Sequence, residues 1–186
     1  MKIIKTRWID VNKGDNVEAV YRSRLVGKEF NDKKMDGLFA GTPPLEALRF
    51  LVHEAATMDQ RKEELASKEK EIVMMINDVA RAFFEAKATR MICVELPEEC
   101  AEAEGGRNVA LLNMSLYGTR DAAMNWQEEV AKQMRKWGFS RGKYNPCLYS
   151  HSEWKIRVFL HGDDFASVGS REALRKLKKS WSKDSR

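Results

Sequence analysis

Residues 155–168, KIRVFLHGDDFASV, contain two apolar runs separated by the polar tetrapeptide HGDD. Apolar runs of this length, bounded by turn residues, are typical of buried strands, and Gly162 favours a tight turn between them. Residues 147–150 form another short run before a polar stretch at residues 151–153. The sequence therefore predicts consecutive antiparallel strands, with Asp163 and Asp164 in the second turn.

Other segments predict further strands by the same reasoning. The apolar run at residues 71–78 predicts a buried strand with Asp78 at its end, and residues 91–95 and 109–113 predict two shorter strands. An early hairpin is expected at residues 17–26, after a turn that contains Gly14 and Asn16.

Helical periodicity marks three segments. Pro43 and Pro44 suit the first turn of a helix that packs on a sheet. Residues 122–137 predict a second helix that stops at Gly138, and Ser170 can N-cap a third whose basic residues face outward. The expected inward positions are Leu45, Leu48, Val52 and Ala55 in the first helix, Trp126, Val130, Met134 and Trp137 in the second, and Leu174, Leu177 and Trp181 in the third. Together the elements predict an α+β fold in which helices pack on an antiparallel sheet.

The length and composition are those of one globular domain, or of a fragment of a larger one, with a mild basic excess. The chain has 186 residues, of which 43% are hydrophobic, and Lys plus Arg exceed Asp plus Glu by 33 to 28. A net charge of +5 mildly favours an anionic partner such as nucleic acid, although solvated surface lysines explain most single basic runs. The polar stretches at residues 61–70 and 98–108 are expected to be exposed connections.

The spacing of the cysteines and the lack of long apolar stretches indicate the cellular compartment of the protein. Cys93, Cys100 and Cys147 form no CxxC pair and are odd in number, which argues against a zinc site and a disulfide framework. No stretch approaches the roughly 20 apolar residues that a membrane-spanning helix needs. The sequence therefore predicts a soluble, intracellular protein without a membrane partner.

Two adjacent aspartates in a turn between apolar strands repel each other unless a cation neutralises them. A divalent metal ion is the natural neutraliser, and Asp78 could supply a further carboxylate from a neighbouring strand. Oxygen ligands of this kind suit Mg²⁺ or Mn²⁺. For an isolated pair of aspartates, a polar hairpin turn without a metal is the more common explanation.

Six blocks along the chain are similar, in the same order, to the motifs of one known family. YRSRLVGKEF at residues 21–30 is similar to the family's KARLVAKGF, NDVARAFF at residues 77–84 to DVKTAF, and ELPE at residues 95–98 to EQPEG. SLYGTRDAAMNW at residues 115–126 is similar to SLYGLKQAPRAW, WGFSRGKYNPCLY at residues 137–149 to GFxxSxxDPCLY, and FLHGDDFASVG at residues 159–169 to LYVDDIIITG. In the order of these blocks the sequence resembles the reverse transcriptase domain of copia-type LTR retrotransposons. The preserved order of six blocks is much more specific than the aspartate pair alone.

This resemblance implies the fingers and palm of a reverse transcriptase, a nucleotidyltransferase, with residues 1–70 fingers-like and residues 71–186 palm-like. It implies RNA-directed DNA polymerisation with Asp78, Asp163 and Asp164 as catalytic carboxylates. Two Mg²⁺ or Mn²⁺ ions would be held by these carboxylates and by the main-chain carbonyl of Val79. One ion activates the primer 3′-hydroxyl and the other holds the triphosphate, so no protein nucleophile is required.

The resemblance also implies substrate-binding residues. Phe83 lies where the family has an aromatic residue beneath the incoming sugar, and its ring would exclude a 2′-hydroxyl. The alternative for Phe83 is a core phenylalanine, although Phe84 is the better core candidate. Tyr117 and Gly118 resemble the segment that contacts the nucleotide and template, where a glycine allows close approach of the backbone.

Basic residues of the first similar segment could reach the triphosphate or the template backbone. These residues are Arg22, Arg24 and Lys28. The implied partners are an RNA or DNA template with its primer, deoxynucleoside triphosphates and the remainder of a Pol polyprotein, in a cytoplasmic virus-like particle or in the nucleus. Because the family's primer grip, thumb and RNase H domain would follow Trp181, a fragment or a degenerate copy is expected.

Two departures from the family leave alternatives open. His161 and Gly162 replace the Tyr–Val pair before the aspartates, and Arg81 places a cation near Asp78. One alternative is a catalytically silent nucleic-acid-binding remnant of the same fold, which metal-dependent primer extension would distinguish from a polymerase. The second alternative is a generic α+β domain with no nucleic-acid role. Such a domain would show no salt-dependent binding to an RNA–DNA duplex.

Overall fold

The structure is a computed structural model that describes residues 2–30, 38–60, 71–103 and 108–184. It is a mixed α+β fold, as predicted, and the chain divides into two compact units. The first unit comprises Met1–Phe39 and Arg81–Trp126, and the second comprises Ala40–Ala80 and Gln127–Arg186. The division into fingers-like residues 1–70 and palm-like residues 71–186 stays a prediction.

The structure confirms the strands and helices that the sequence predicts, with small shifts at their ends. In chain order the strands are β1 (Lys2–Ile4), β2 (Thr6–Asn12), β3 (Tyr21–Gly27), β4 (Ile72–Asp78), β5 (Ile92–Glu95), β6 (Val109–Leu111), β7 (Ser140–Arg141), β8 (Leu148–His151), β9 (Ile156–His161) and β10 (Asp164–Ser170). The helices are α1 (Leu45–Gln60), α2 (Glu98–Ala103), α3 (Ala122–Lys136) and α4 (Arg171–Asp184), with a 3₁₀ turn at Ala82–Glu85. Of the two polar stretches expected to be connections, residues 61–70 lie outside the described residues, whereas the stretch at residues 98–108 begins with helix α2.

The first unit contains two small sheets. One has the strand order β1-β5-β6, with β1 parallel and β6 antiparallel to β5. Ile4, Ile92, Val94 and Leu116 form its core. The other sheet is the antiparallel hairpin β2–β3. An early hairpin is therefore present, but only its second strand, Tyr21–Gly27, overlaps the predicted residues 17–26, because the first strand, Thr6–Asn12, precedes the turn.

The second unit is built on a five-stranded antiparallel sheet with the order β4-β10-β9-β8-β7. Helix α1 packs on one face, where Leu51, Phe159, Ala166 and Val168 form a buried cluster. Helix α4 packs against β10 and β4, and its Trp181 meets Phe165 edge-on, with ring centroids 4.6 Å apart. Because alternate residues of a strand face opposite sides, helices on both faces explain why every residue from Phe165 to Gly169 in β10 is buried.

Helix ends follow the predicted signals. The Ala173 N–H donates a 3.2 Å hydrogen bond to Ser170 Oγ, so Ser170 caps α4. Gly138 follows α3 with a φ of 85°, the left-handed conformation that commonly ends a helix.

Two predicted core positions of α1 are wrong. Leu45 and Val52 are exposed, because the stripe that faces the sheet runs through Leu48, Leu51 and Ala55. Leu51 is buried at a position that the helical pattern had not indicated.

Phe84 and His151 also differ from expectation. Phe84 is 37% exposed and is not a core residue, because the 3₁₀ turn buries Ala82 and Ala86 in its place. His151 is the buried last residue of β8 and does not lie in the turn. Its ring stacks on Trp154 with centroids 4.3 Å apart, and its Nδ1 accepts a hydrogen bond from the Trp154 N–H.

Candidate active site

The predicted turn between β9 and β10 is a two-residue connection. His161 pairs with Asp164 across the hairpin, so Gly162 and Asp163 form its tip. Gly162 has a φ of 63°, which the tightest hairpin turns require at their first central position. The turn therefore presents two adjacent carboxylates at one end of the five-stranded sheet.

Asp78 lies directly opposite Asp164 in the register of β4 and β10. One residue further on, the Val79 N–H donates a 3.0 Å hydrogen bond to the Asp163 carbonyl. Because hydrogen-bonded and non-hydrogen-bonded pairs alternate in an antiparallel ladder, Asp78 and Asp164 form a non-hydrogen-bonded pair, whose α-carbons are typically about 4.5 Å apart. The side chains of two directly opposed residues project from the same face of the sheet.

The three carboxylates are available to a cation. Asp78 and Asp164 are exposed, and Asp163 is half-buried. Within the described part of the chain, none of them forms an ion pair or a side-chain hydrogen bond. Carboxylate oxygens on adjoining backbone positions fit a divalent ion such as Mg²⁺.

The three carboxylates do not form a complete metal-binding site in the structure. Across residues 2–30, 38–60, 71–103 and 108–184, no three His, Cys, Asp or Glu side chains are grouped so that they could hold a metal ion. The backbone register nevertheless places Asp78 and Asp164 at directly opposed positions.

A separate aromatic cluster lies in the first unit. The Phe83 ring stacks on Tyr117, with centroids 4.4 Å apart and an angle of 29° between the ring planes. Phe84 meets the same tyrosine edge-on at 5.6 Å. The Ser115 N–H donates to the Ala86 carbonyl at 2.8 Å, which ties the 3₁₀ turn to the segment that carries Tyr117.

Backbone hydrogen bonds connect Tyr117 and Gly118 to the residues at the end of β3. The Gly27 N–H donates to the Tyr117 carbonyl at 2.7 Å, and the Glu29 N–H donates to the Gly118 carbonyl at 3.3 Å. Gly118 has a φ of 84°, and a Cβ built on it would lie 2.0 Å from the Gly27 carbonyl oxygen. Glycine is therefore required here by both conformation and space.

The predicted basic residues occupy one surface of the β2–β3 hairpin. The register places Arg22 and Arg24 on the same face as Arg7, which the sequence motifs had not indicated. All three are exposed, and none forms an ion pair with another described residue. Lys28 is half-buried just after β3. This arginine face, formed by Arg7, Arg22 and Arg24, is suited to binding phosphate groups.

A buried ionic network lies behind the Tyr117 segment. The Glu29 side chain is 0% exposed, and its carboxylate accepts hydrogen bonds from both terminal nitrogens of Arg90 at 3.0 and 2.8 Å. It also accepts from Lys2 Nζ at 3.2 Å and from the Arg120 N–H at 2.9 Å. Arg90 Nη2 donates at the same time to Asp121 Oδ1 at 2.6 Å.

The network shifts the pKa of its members. The hydrogen bonds from Arg90 lower the pKa of Glu29 from 4.5 to about 2, against the opposing effect of burial. The pKa of Arg90 is raised, first by its hydrogen bonds to Glu29 and then by those to Asp121. Burial pushes the pKa of Asp121 upward, but the hydrogen bond and charge of Arg90 outweigh it, so the pKa is lowered. All of these side chains are therefore charged at neutral pH.

The sequence analysis did not predict this network, because Glu29 and Asp121 lie in segments that were interpreted as substrate-binding and Arg90 lies next to a predicted strand. The sequence nevertheless contains an indication of the network. In the similar family segments, glycine stands at the position of Glu29 and glutamine at that of Asp121, so two uncharged positions have become acidic here.

The predicted site residues thus fall into two groups. Asp78, Val79, Asp163 and Asp164 belong to the second unit, whereas Phe83, Tyr117, Gly118 and the basic residues belong to the first. The structure describes the geometry within each group. That the two groups form a single site stays a prediction.

Comparison with known proteins agrees with the motifs. The family described as reverse transcriptase (RNA-dependent DNA polymerase) matches residues 1–184. The chain belongs to this family. It is 30% identical, over 190 aligned positions, to the retrovirus-related Pol polyprotein from transposon TNT 1-94 of Nicotiana tabacum, which identifies it as a reverse transcriptase domain of the copia type.

That alignment covers 97% of this chain and 13% of the tobacco polyprotein. Reverse transcriptases generally use divalent metal ions and a nucleic-acid template. No described helix of this chain is both long and apolar enough to cross a membrane.

Proposed function

We propose that this domain catalyses RNA-directed DNA polymerisation by two-metal nucleotidyl transfer. The observation that carries the proposal is the register of β4 and β10, in which Asp78 is opposite Asp164 and next to Asp163. In this assignment the five-stranded sheet corresponds to the palm and the β2–β3 hairpin to the fingers. Template, primer and deoxynucleoside triphosphates are the substrates, and the remainder of a Pol polyprotein is the natural partner.

Asp78, Asp163 and Asp164, with the carbonyl of Val79, would hold two Mg²⁺ or Mn²⁺ ions. When bound, such ions lower the pKa of the primer 3′-hydroxyl and stabilise the charge on the departing pyrophosphate. The carboxylates contribute by their position at the strand ends, where Asp78 and Asp164 are exposed and Asp163 is half-buried. None of the three forms an ion pair with another described residue.

The first unit would supply nucleotide binding. The arginine face and Lys28 would bind the triphosphate or the template backbone through charge-assisted hydrogen bonds. Tyr117 and Gly118 would contact the nucleotide, and Phe83 would exclude a ribose 2′-hydroxyl. The stacking of Phe83 on Tyr117 supports this role, because the Phe83 side chain is half-buried against Tyr117 and is not sealed in a core.

The alternative is a catalytically silent, nucleic-acid-binding copy of the same fold. One observation favours it: His161 and Gly162 replace the family's Tyr–Val pair at the hairpin. The exposed arginine face would then provide binding without synthesis.

Primer extension on a poly(rA) template with Mg²⁺ or Mn²⁺ distinguishes the two functions. We expect metal-dependent extension by the wild-type chain and its loss in Asp163→Asn and Asp78→Asn. Glu128→Gln, which removes an exposed carboxylate that pairs with Arg141, is the matched control and should extend normally. Duplex binding without extension under any metal condition would contradict the proposal and support the silent alternative.

A further inference from the structure

The carboxylate of Glu29 joins three parts of the first unit that are distant in sequence. Arg90 approaches it from the start of β5, Lys2 from β1, and the Arg120 N–H from the turn before α3. The main-chain N–H of Glu29 also donates to the Gly118 carbonyl. A single buried residue is therefore bonded directly to the segment that contains Tyr117 and Gly118.

Hydrogen bonds and ring contacts extend this connection from Glu29 to the stacked rings of Tyr117 and Phe83. The Tyr117 carbonyl is bonded to Gly27, two residues before Glu29, and the Tyr117 ring stacks on Phe83. Displacement of residues 117–120 would therefore move the tyrosine ring and remove the support of the Phe83 ring. Asp121 holds the other side of Arg90, which keeps the guanidinium in place between the two carboxylates.

A network of this kind is not needed for stability alone. Buried ion pairs stabilise a fold weakly compared with apolar residues of similar volume, whereas they define geometry closely. The bidentate contact between Arg90 and Glu29 fixes both distance and direction. The network is therefore better suited to holding a segment at a defined position than to adding stability.

We infer that Glu29 is a positioning residue, which holds Tyr117 and, through the stacked rings, Phe83 in the orientation that selects the sugar of the incoming nucleotide. This inference rests on the proposed polymerase function. Glu29 itself is buried and would not touch the substrate.

The ring position can be measured without any catalytic activity. The chain contains four tyrosines, and 3-fluorotyrosine labelling gives each a ¹⁹F resonance, with the Tyr117 signal assigned by Tyr117→Phe. We expect Glu29→Gln to move the Tyr117 resonance towards that of the exposed Tyr144. Tyr149, which is buried in the second unit, should be unchanged.

Two further variants make this measurement specific. Arg90→Lys keeps the positive charge between the carboxylates but removes the two-pronged contact, so it should shift the Tyr117 signal less than Glu29→Gln and still fold. Glu128→Gln removes an exposed carboxylate of the second unit and should leave the signal unchanged. Circular dichroism at the same temperature shows whether each variant is folded.

The functional measurement is the ratio of ribonucleotide to deoxynucleotide incorporation by the same proteins. Because a displacement of about 1 Å can change rates by about a hundredfold, a partial displacement of Phe83 predicts a rise of about tenfold in this ratio for Glu29→Gln. A loss of folded protein would lower both incorporations equally and leave the ratio constant.

The outcomes separate the inference from the proposed function. An unmoved Tyr117 resonance in folded Glu29→Gln overturns the inference, and so does a moved resonance with an unchanged ratio. If the wild-type chain incorporates neither nucleotide under conditions where duplex binding is retained, the polymerase function fails, and the role in sugar selection fails with it. The resonance then still decides whether Glu29 positions Tyr117.

Discussion

Gly162 gives the β9–β10 turn a conformation that few other residues adopt without strain. Its φ of 63° lies in the left-handed region, and a Cβ added to it would meet no atom within 4 Å. The cost of a side chain here is therefore conformational and not steric. The family's valine at this position would be strained, so glycine relaxes the turn that carries Asp163 and Asp164.

Gly162→Val should consequently destabilise the chain by about 1–3 kcal/mol, the usual cost of an unfavourable backbone conformation. Gly162→Asn is the matched control, and it should cost less because asparagine tolerates positive φ better than a β-branched residue does. Urea denaturation of the three proteins measures the difference. Equal stability of the valine variant and the wild type would show that the turn is not constrained.

Glu29 predicts a specific response to acid. Its pKa is lowered from 4.5 to about 2 in the folded state, so its contribution to stability is fully present above pH 4.5 and is lost as the pH falls towards 2. We expect Glu29→Gln to lower the free energy of unfolding at pH 7 by about 3 kcal/mol, because Arg90 loses one of its two partners.

The measurement is urea denaturation of Glu29→Gln and wild type at pH 7 and pH 3. The difference between the two proteins should be smaller at pH 3, where the unfolded wild-type chain is already protonated at this position. A difference that is the same at both pH values would contradict the lowered pKa.

Helix α4 depends on Ser170, the residue that immediately precedes it. Ser170 Oγ accepts the hydrogen bond of the Ala173 N–H, which would otherwise be unpaired at the helix start. The helix then directs Leu174 and Leu177 into the core and brings Trp181 to Phe165. The cap thus determines where the apolar stripe meets β10.

Ser170→Ala should lower the free energy of unfolding by about 1 kcal/mol, as removal of an N-cap usually does. Ser180→Ala is the control within the same helix, because Ser180 Oγ only bonds back to the Lys176 carbonyl. Alanine at that position should be neutral or slightly stabilising. Thermal unfolding of both variants tests the contrast, and equal effects would show that Ser170 does not act as a cap.

Across the whole chain, the positive charge of +5 is less informative than its placement. The three side chains of the arginine face share one side of a hairpin and have no acidic partner among the described residues. Phosphate binding of this kind releases counterions, so affinity falls as salt rises. The hairpin is therefore the surface from which salt-dependent binding should come.

The combined variant Arg7→Gln, Arg22→Gln and Arg24→Gln should reduce the slope of log affinity against log salt by about one for each phosphate that an arginine no longer binds. Fluorescence anisotropy with an RNA–DNA duplex at several salt concentrations measures the slope. Lys132→Gln, on an exposed lysine of α3 that pairs with Glu129, should leave it unchanged. An unchanged slope in the triple variant would exclude the hairpin as the phosphate-binding surface.

The sequence by itself determined most of the strands and helices and the places of the three aspartates along them, although it did not indicate β1, β2, β7 or α2. Strand β4 with Asp78 at its end, the HGDD turn and the Ser170 cap are each encoded by neighbouring residues, because apolar periodicity, turn chemistry and capping act over a few positions. The family motifs, which are also contiguous, indicated the class of the protein for the same reason.

Only the tertiary structure decided which distant residues meet. Glu29 and Arg90 are 61 positions apart, and Arg90 and Asp121 are 31 apart, so no local pattern indicates that they pair. A charged residue is expected at the surface unless an oppositely charged residue pairs with it. Here the fold brings such partners together from distant segments and buries them. The register that sets Asp78 against Asp164, the third arginine of the hairpin face and the exposure of Phe84 likewise depend on packing between separate segments.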